Sequence, residues 1–307
     1  MRNSLLTMAY RGLFRHADWN IGVAHAPIGA FLQPNARPLV SWFPPTKRGK
    51  FLADPFAVVR DGTTYILCEE FDYAANKGRI VSFELTDWLH PSGPKVAIEL
   101  PTHISYPYLI EYQGAIYCTP ETHQAREIAL YKAEEFPHQW IRIASLISDF
   151  SGLDATIFQY EGRWWLTCAC KDADLAQLFV WYAWDLLGPW TPHAGNPVKT
   201  DIRSSRPAGT PFMHDGYLHR PAQDCSRSYG GGIVLNRVTR LTPTEFEEEP
   251  VTVIEPYENG PYRDGIHTVS AAGDVTIIDG LRRRFASSAL RRNVAQILDQ
   301  TKVSIQH

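Results

Sequence analysis

The chain has 307 residues, a formal net charge of −3 and 12% aromatic residues. That charge excludes a global basic field for nucleic acid, so no nucleic-acid partner is expected. Its five cysteines, Cys68, Cys118, Cys168, Cys170 and Cys225, are odd in number and lack a C-x-x-C pair. This argues against a disulfide framework or a zinc site.

From the N-terminus, residues 5–10 form an apolar patch too short for a signal h-region. No stretch reaches the roughly 18 apolar residues of a membrane span, so a cytoplasmic protein is the expectation. Two strand-like stretches follow in a Pro-rich opening, 19–25 (WNIGVAH) and 40–43 (VSWF). Next comes the stretch that sets the pattern, 51–71 (FLADPFAVVRDGTTYILCEEF). It reads as a strand, an Asp61-Gly62 hairpin turn and a returning strand.

The pattern recurs at 105–122, 153–169 and 205–224, and more weakly at 265–281. The turn glycines are Gly62, Gly114, Gly162, Gly216 and Gly273, spaced by 52, 48, 54 and 57 residues. A four-stranded propeller blade takes roughly 40–50 residues. Segments between the copies, such as 78–85, 128–133, 140–146, 177–184, 231–238 and 251–255, supply the outer strands. The prediction is a single all-β domain over 1–307, a five-bladed β-propeller. Residues 1–50 form a closing segment, with 19–24 lent to the last blade. The blades span about 51–281, and 282–307 is a tail. Within the tail, 287–300 reads as a short C-terminal helix with Leu290, Val294, Ile297 and Leu298 on one face. Its arginines suggest a weak contact with an anionic membrane surface; the plainer alternative is a tail packed on the propeller.

Inner strands of a propeller line a central channel, so residues at their leading ends converge on one mouth. Eight residues before the turn glycine stand Asp54, Tyr106 and Asp154; near that register are Arg206 and His267. Paired carboxylates at one mouth suit glycoside hydrolysis, one as base or nucleophile and one as an acid of raised pKa. An Asp before a strand is otherwise a turn residue. Second strands end on Glu69, Glu70 and Glu121. The run His219-Arg220-Pro221-Ala222-Gln223-Asp224 is dense in hydrogen-bonding groups. Arg206 and Arg220 suit bidentate grip of a substrate carboxylate or phosphate; the alternative is a buried ion pair with Asp224 or another carboxylate. Tyr106, Trp164, Trp165 and Tyr229 are candidate sugar platforms, though of two neighbours in a strand at most one is expected to face inward, and Trp164-Trp165 reads best as core. Cys68, Cys118 and Cys168 fall in second strands and read as small core residues. No nucleotide-binding, nucleophile-elbow or metal-ligand motif is present, so no cofactor and no metal are expected.

Residues ADPFAVV followed by D-G-x-x-Y, LDATIF followed by E-G-R-W-W, and the Gly188-Pro189-Trp190 corner resemble the five-bladed propellers of glycoside hydrolase family 43 and its relatives. The resemblance implies a base at Asp54 and a carboxylate at Asp154 that orients substrate and tunes the acid. Where that family places its acid Glu, this chain reads Ser205-Arg206-Pro207-Ala208-Gly209; Glu121 or Glu70 would have to substitute. A fuller resemblance spans about 19–280. Its marks are F-x-A-D-P-F, S-Y-P-x-x-x-E, G-L-D-A-T, N-P-V, S-R-P-A-G, R-P-A-Q-D-C and G-I-H-T. These are similar to the N-terminal domain of plant glucosamine inositolphosphorylceramide transferase, whose sugar transfer belongs to a separate C-terminal domain.

The expectation is a carbohydrate-active propeller that hydrolyses or transfers a glycosyl unit of a surface polysaccharide or glycolipid. Asp54, Asp154 and Glu121 are its catalytic candidates. Tyr106, Arg206, Arg220, Gln223, Asp224 and His267 are its substrate-binding candidates. The alternative is a non-catalytic glycan-binding module that assists a partner glycosyltransferase.

Overall fold

Two successive left-handed residues make the tight turn that suits a twisted hairpin. Asp61-Gly62, Gln113-Gly114, Glu161-Gly162 and Asp215-Gly216 all show that pair of positive φ angles. The fifth turn is Gly273-Asp274, with the glycine first. The computed structural model describes residues 15–86, 91–174 and 176–285.

Each hairpin is the inner half of an antiparallel sheet. The first sheet runs β3 (Lys50–Arg60), β4 (Thr63–Asp72), β5 (Lys77–Leu85) and β6 (Ser92–Ile98). The second runs β7 (Ser105–Tyr112), β8 (Ala115–Glu121), β9 (Glu127–Glu135) and β10 (Gln139–Ser148). The third has β11 (Gly152–Tyr160), β12 (Arg163–Cys170), β13 (Gln177–Ala183) and β14 (Thr191–Pro192), with β15 (Lys199–Thr200) also on β13. The fourth has β16 (Phe212–His214), β17 (Tyr217–Gln223), β18 (Ile233–Leu241) and β19 (Phe246–Ile254). The last is composite. From the channel outward it runs β20 (Val269–Ala272), β21 (Val275–Phe285), β1 (Arg15–Ala24) and β2 (Val40–Trp42). Five sheets around a channel make the five-bladed propeller that the repeat predicts.

The N-terminal strand closes the ring as expected. All ten residues of β1 pair with β21, Arg15 opposite Phe285 through Ala24 opposite Thr276. Ile21 and Val23 are fully buried between the last blade and the first, against Leu52, Ile66 and Val81. Asn20 donates from Nδ2 to the Phe43 carbonyl and the Tyr262 hydroxyl, both at 2.8 Å. One boundary moves: β21 continues to Phe285, so residues 282–285 belong to the last blade and not to a tail. Arg282 and Arg284 there pair with Asp18, each at 2.8 Å. The helix expected at 287–300 lies outside the described residues.

Both faces of a blade are covered, because each side meets a neighbouring blade. Trp164 therefore packs with Tyr108 and Ile110 of the second blade, and Trp165 with Leu218 and Val238 of the fourth. Both are buried, on opposite faces of the strand, as the core reading expects. Cys68, Cys118 and Cys168 are fully buried, as expected of small core residues. Among the described residues no helix is long and apolar enough to cross a membrane.

Closure by a borrowed strand makes a quantitative demand. Ile21→Ala should cost about 2–5 kcal/mol in denaturant unfolding, the range for a large-to-small change in a sealed core. A loss below about 0.5 kcal/mol, the range of neutral surface changes, would mean the borrowed strand is not part of the cooperative core.

Candidate functional site

All three of the first inner strands break at the same level. Pairing slips between Ala53 and Phe56 in β3, Ser105 and Tyr108 in β7, and Leu153 and Thr156 in β11. The bulged residues are Asp54, Tyr106 and Asp154, at φ +53°, +44° and +54°. A left-handed conformation is uncommon for any residue with a side chain, and for a tyrosine it is an outlier. Each costs about 1–3 kcal/mol and persists only where its surroundings enforce it.

Carboxylates do the enforcing. The Asp54 N–H donates to Asp279 Oδ2 at 3.2 Å, the Tyr106 N–H to Asp54 Oδ2 at 3.3 Å, and the Asp154 N–H to Glu121 Oε2 at 3.3 Å. In every case donor and acceptor come from different blades.

Two polar groups result. In the first, His267 Nε2 lies 3.3 Å from Asp54 Oδ1 and Nδ1 lies 2.6 Å from Asp279 Oδ2. The Thr268 hydroxyl donates to Asp54 Oδ1 at 3.1 Å. Asp279 Oδ1 accepts the N–H groups of His267 and Thr268 at 2.9 and 3.1 Å. Trp19 of β1 stacks on His267 at 4.1 Å. In the second group, Asp154 Oδ2 accepts from Arg206 Nε and, at 2.8 Å, from Gln223 Nε2. Arg206 also lies 4.0 Å from Glu121 Oε2, and His123 Nδ1 lies 2.9 Å from Glu121 Oε1. Tyr229 joins the two groups. Its ring sits 5.2 Å from the Arg206 guanidinium and 5.2 Å from the His267 ring, and it is 49% exposed.

Burial and the neighbouring charges together set the protonation of these groups. Burial pushes the Asp154 carboxyl up to about 7, against the opposing charge of Arg206 and with help from Glu121. Burial also raises Asp54, with His267 opposing. Glu69 is raised well above the carboxylate range by burial and then by the surrounding Asp54, Glu121, Asp154 and Asp279. For Glu121, burial pushes upward, but the His123 hydrogen bond and the Arg206 charge outweigh it and hold the carboxyl below its usual value. For His267, burial pulls downward, while Asp279 and Asp54 hold the imidazole above its usual value. Glu121 is therefore poorly suited to the acid role expected of it, and Asp154 carries a proton near neutrality. Asp54, His267 and Asp279 also present ligand atoms within 4.8 Å of one another, a spacing that would suit a cation, although backbone N–H groups and His267 already occupy the Asp279 oxygens.

The structure thus brings together Asp54, Asp154, Glu121, Arg206, Gln223 and His267. It does not bring in three other candidates. The Tyr106 side chain is fully buried; its hydroxyl contacts Thr156 Oγ1 at 2.9 Å and accepts the Gly209 N–H at 2.8 Å, so it plugs the channel instead of offering a platform. Arg220 turns outward into a buried pair with Glu248 at 2.6 Å and donates to the Ser204 and Ser205 carbonyls. That leaves it no free donor face for a substrate. Asp224 accepts from Ser226 N–H and Oγ at 2.9 and 2.6 Å within its own loop. Sequence reasoning missed Asp279, and passed over Glu69, whose Oε1 is buried without a hydrogen-bond partner.

The sequence profile of the N-terminal region of glucosamine inositolphosphorylceramide transferase 1 matches residues 32–262. The rice (Oryza sativa subsp. japonica) glucosamine inositolphosphorylceramide transferase 1 is 31% identical over 271 residues, covering 81% of this chain and 36% of the relative. Its Arabidopsis thaliana counterpart is 34% identical over 211 residues, covering 66% and 27%. The chain thus spans about a third of the length of these relatives. Among solved structures, the Zobellia galactanivorans family 117 glycoside hydrolase Zg3597 superposes with a TM-score of 0.55 at 14% identity, over 88% of this chain and 91% of that one. A Bacteroides ovatus glycosyl hydrolase gives 0.53 at 12% identity, over 87% and 96%. At these identities the likeness shows the propeller fold.

Raised carboxyl and imidazole values fix the sign of a pH effect. A group that binds its proton more tightly when folded stabilises the fold at low pH and loses that contribution as pH rises through its folded value. Asp154 should therefore lower stability progressively between about pH 4 and its folded value of about 7. Thermal unfolding across this window should show a flatter pH dependence in Asp154→Asn than in the wild type. Equal slopes would show that Asp154 is ionised at its ordinary value.

Proposed function

The chain belongs to the family of the N-terminal domain of glucosamine inositolphosphorylceramide transferase 1, and from that premise we propose that its channel mouth binds and cleaves, or transfers, a glycosyl unit of a surface polysaccharide or glycolipid. The observation that carries this reading is the convergence of two bulged carboxylates on one mouth, each beside its own basic partner, His267 for Asp54 and Arg206 for Asp154. Asp54 is raised by burial, but His267 at 3.3 Å opposes that rise, and we assign it the role of base or nucleophile. Asp154 takes both its side-chain donors, Arg206 and Gln223, on Oδ2, and keeps a proton near neutrality, as a general acid must. Tyr229 offers a half-exposed ring between them, and Arg206 and Gln223 fix the acid in place.

A second reading has its own support. Thr268, the Tyr106 N–H, Arg206 and Gln223 occupy oxygens of the two carboxylates, and both residues are buried. Carboxylates so fully engaged also serve to hold the mouth's shape. The mouth would then present a sugar to a partner glycosyltransferase without reacting.

Turnover on a panel of activated aryl glycosides separates the two. The catalytic reading expects Asp54→Asn and Asp154→Asn each to lower kcat/KM by about 10²- to 10⁴-fold, the usual worth of a positioned acid or base. It also expects the wild-type rate to fall above about pH 7 as Asp154 loses its proton. Glycan binding without turnover on any member of the panel would favour the holding role and contradict catalysis.

A further inference from the structure

The last blade carries a cleft on its outer rim that the mouth does not use. It has a volume of about 600 Å³ and lies between residues 37–42 and 255–261. Trp42, on the outermost strand β2, forms its aromatic wall. Glycines make room for that indole. A Cβ at Gly22 would lie 3.0 Å from the ring and one at Gly280 would lie 2.4 Å from it. Tyr262 braces the ring at 5.0 Å, and Tyr257 meets it edge-on at 6.5 Å.

Hydrogen-bonding capacity around this wall is unspent. Among the described residues the Tyr257 hydroxyl is buried without a hydrogen-bond partner. A buried tyrosine hydroxyl normally finds a partner. Glu258 and Asn259 stand exposed on the rim, and the Arg37 guanidinium lies 5.9 Å over the Tyr257 ring. The lining thus combines aromatic surface with one cation, Arg37, and two carboxylates, Glu258 and Glu255, the latter paired with Arg227 at 2.8 Å. A phosphate or polyanion would call for clustered cations, and this lining has one, Arg37. A neutral ring bearing many hydroxyls fits both the aromatic wall and the mixed rim.

A second cleft of about 310 Å³ adjoins the first and shares Glu255 and Glu258 with it. It reaches Ser228, the residue before Tyr229 at the mouth. We propose that the rim of the last blade is an accessory carbohydrate subsite, in which Trp42, Tyr257, Glu258 and Asn259 hold units of an extended glycan whose end lies at the channel mouth. The subsite stands on its own lining; its continuity with a sugar at the mouth rests on the proposed function above.

The test starts with the labelled full-length chain on a glycan array. Isothermal titration then follows with the best-binding glycan and its successively shorter fragments. The proposal expects affinity to climb by about tenfold or more, about 1.4 kcal/mol, from a single sugar to the longer fragments. Tyr257→Phe and the surface double variant Glu258→Ala/Asn259→Ala should lose that gain while melting like the wild type. Arg206→Ala, at the mouth, should weaken single sugars and chains alike. Loss in the rim variants with Arg206→Ala unaffected supports the subsite and contradicts the mouth. Loss in Arg206→Ala with wild-type affinity in the rim variants leaves the mouth standing and overturns the subsite. Affinity independent of chain length, or no binding to any arrayed glycan, also overturns it.

Discussion

A backbone N–H that points the wrong way for its own sheet needs an acceptor from somewhere else. At Asp54, Tyr106 and Asp154 the left-handed bulge turns the N–H out of the ladder, and a carboxylate of another blade receives it. Asp279 of the last blade holds the first blade, Asp54 of the first holds the second, and Glu121 of the second holds the third. Arg206 and Gln223 of the fourth blade then reach Asp154, and the Gly209 N–H crosses the channel to the Tyr106 hydroxyl. The bonds that keep five blades in register are thus the same bonds that assemble the mouth. Strain of about 1–3 kcal/mol per bulge is stored where the candidate chemistry sits.

Such an arrangement concentrates charge. Asp54, Glu69, Glu121, Asp154 and Asp279 are all buried at this level, and the basic groups beside them are Arg206, His267, His123 and His103. Buried charges persist only when paired, and otherwise the group takes up a proton. The unpaired excess therefore appears as upward shifts at Glu69, Asp154 and Asp54, while Glu121, bonded to His123 and near Arg206, is held below its usual value. Carboxyls raised from their ordinary values are a consequence of having more carboxyls than cations in one closed space.

The fold was legible because its turns are chemically explicit. Four x-Gly pairs at a steady spacing located the hairpins, and counting back from the glycine reached Asp54, Tyr106 and Asp154 in identical bulges. The same count weakens in the last two copies for a local reason. Gly209 rather than a bulged side chain occupies the crowded place in the fourth blade, where a Cβ would lie 1.8 Å from the Val269 carbonyl oxygen. The fifth turn is Gly273-Asp274, with its glycine one position early. Asp279 escaped notice inside the apolar strand VTIID; a lone carboxylate there was the available signal. Arg220 takes the buried-ion-pair alternative, but its partner was hidden: Glu248 sits in the run Glu247-Glu248-Glu249, which reads as a solvated strand although the Glu248 side chain is 1% exposed. Only its facing toward the fourth blade's interior, a tertiary property, distinguishes it from its neighbours.

The most direct measurement is a crystal structure of the chain soaked with the oligosaccharide that binds it best. The account predicts a sugar ring against Tyr229, with its hydroxyl or glycosidic oxygens within hydrogen-bond reach of Asp54 and Asp154. Density confined to the far face of the propeller, with the mouth empty and Arg206 still locked on Asp154, would contradict it.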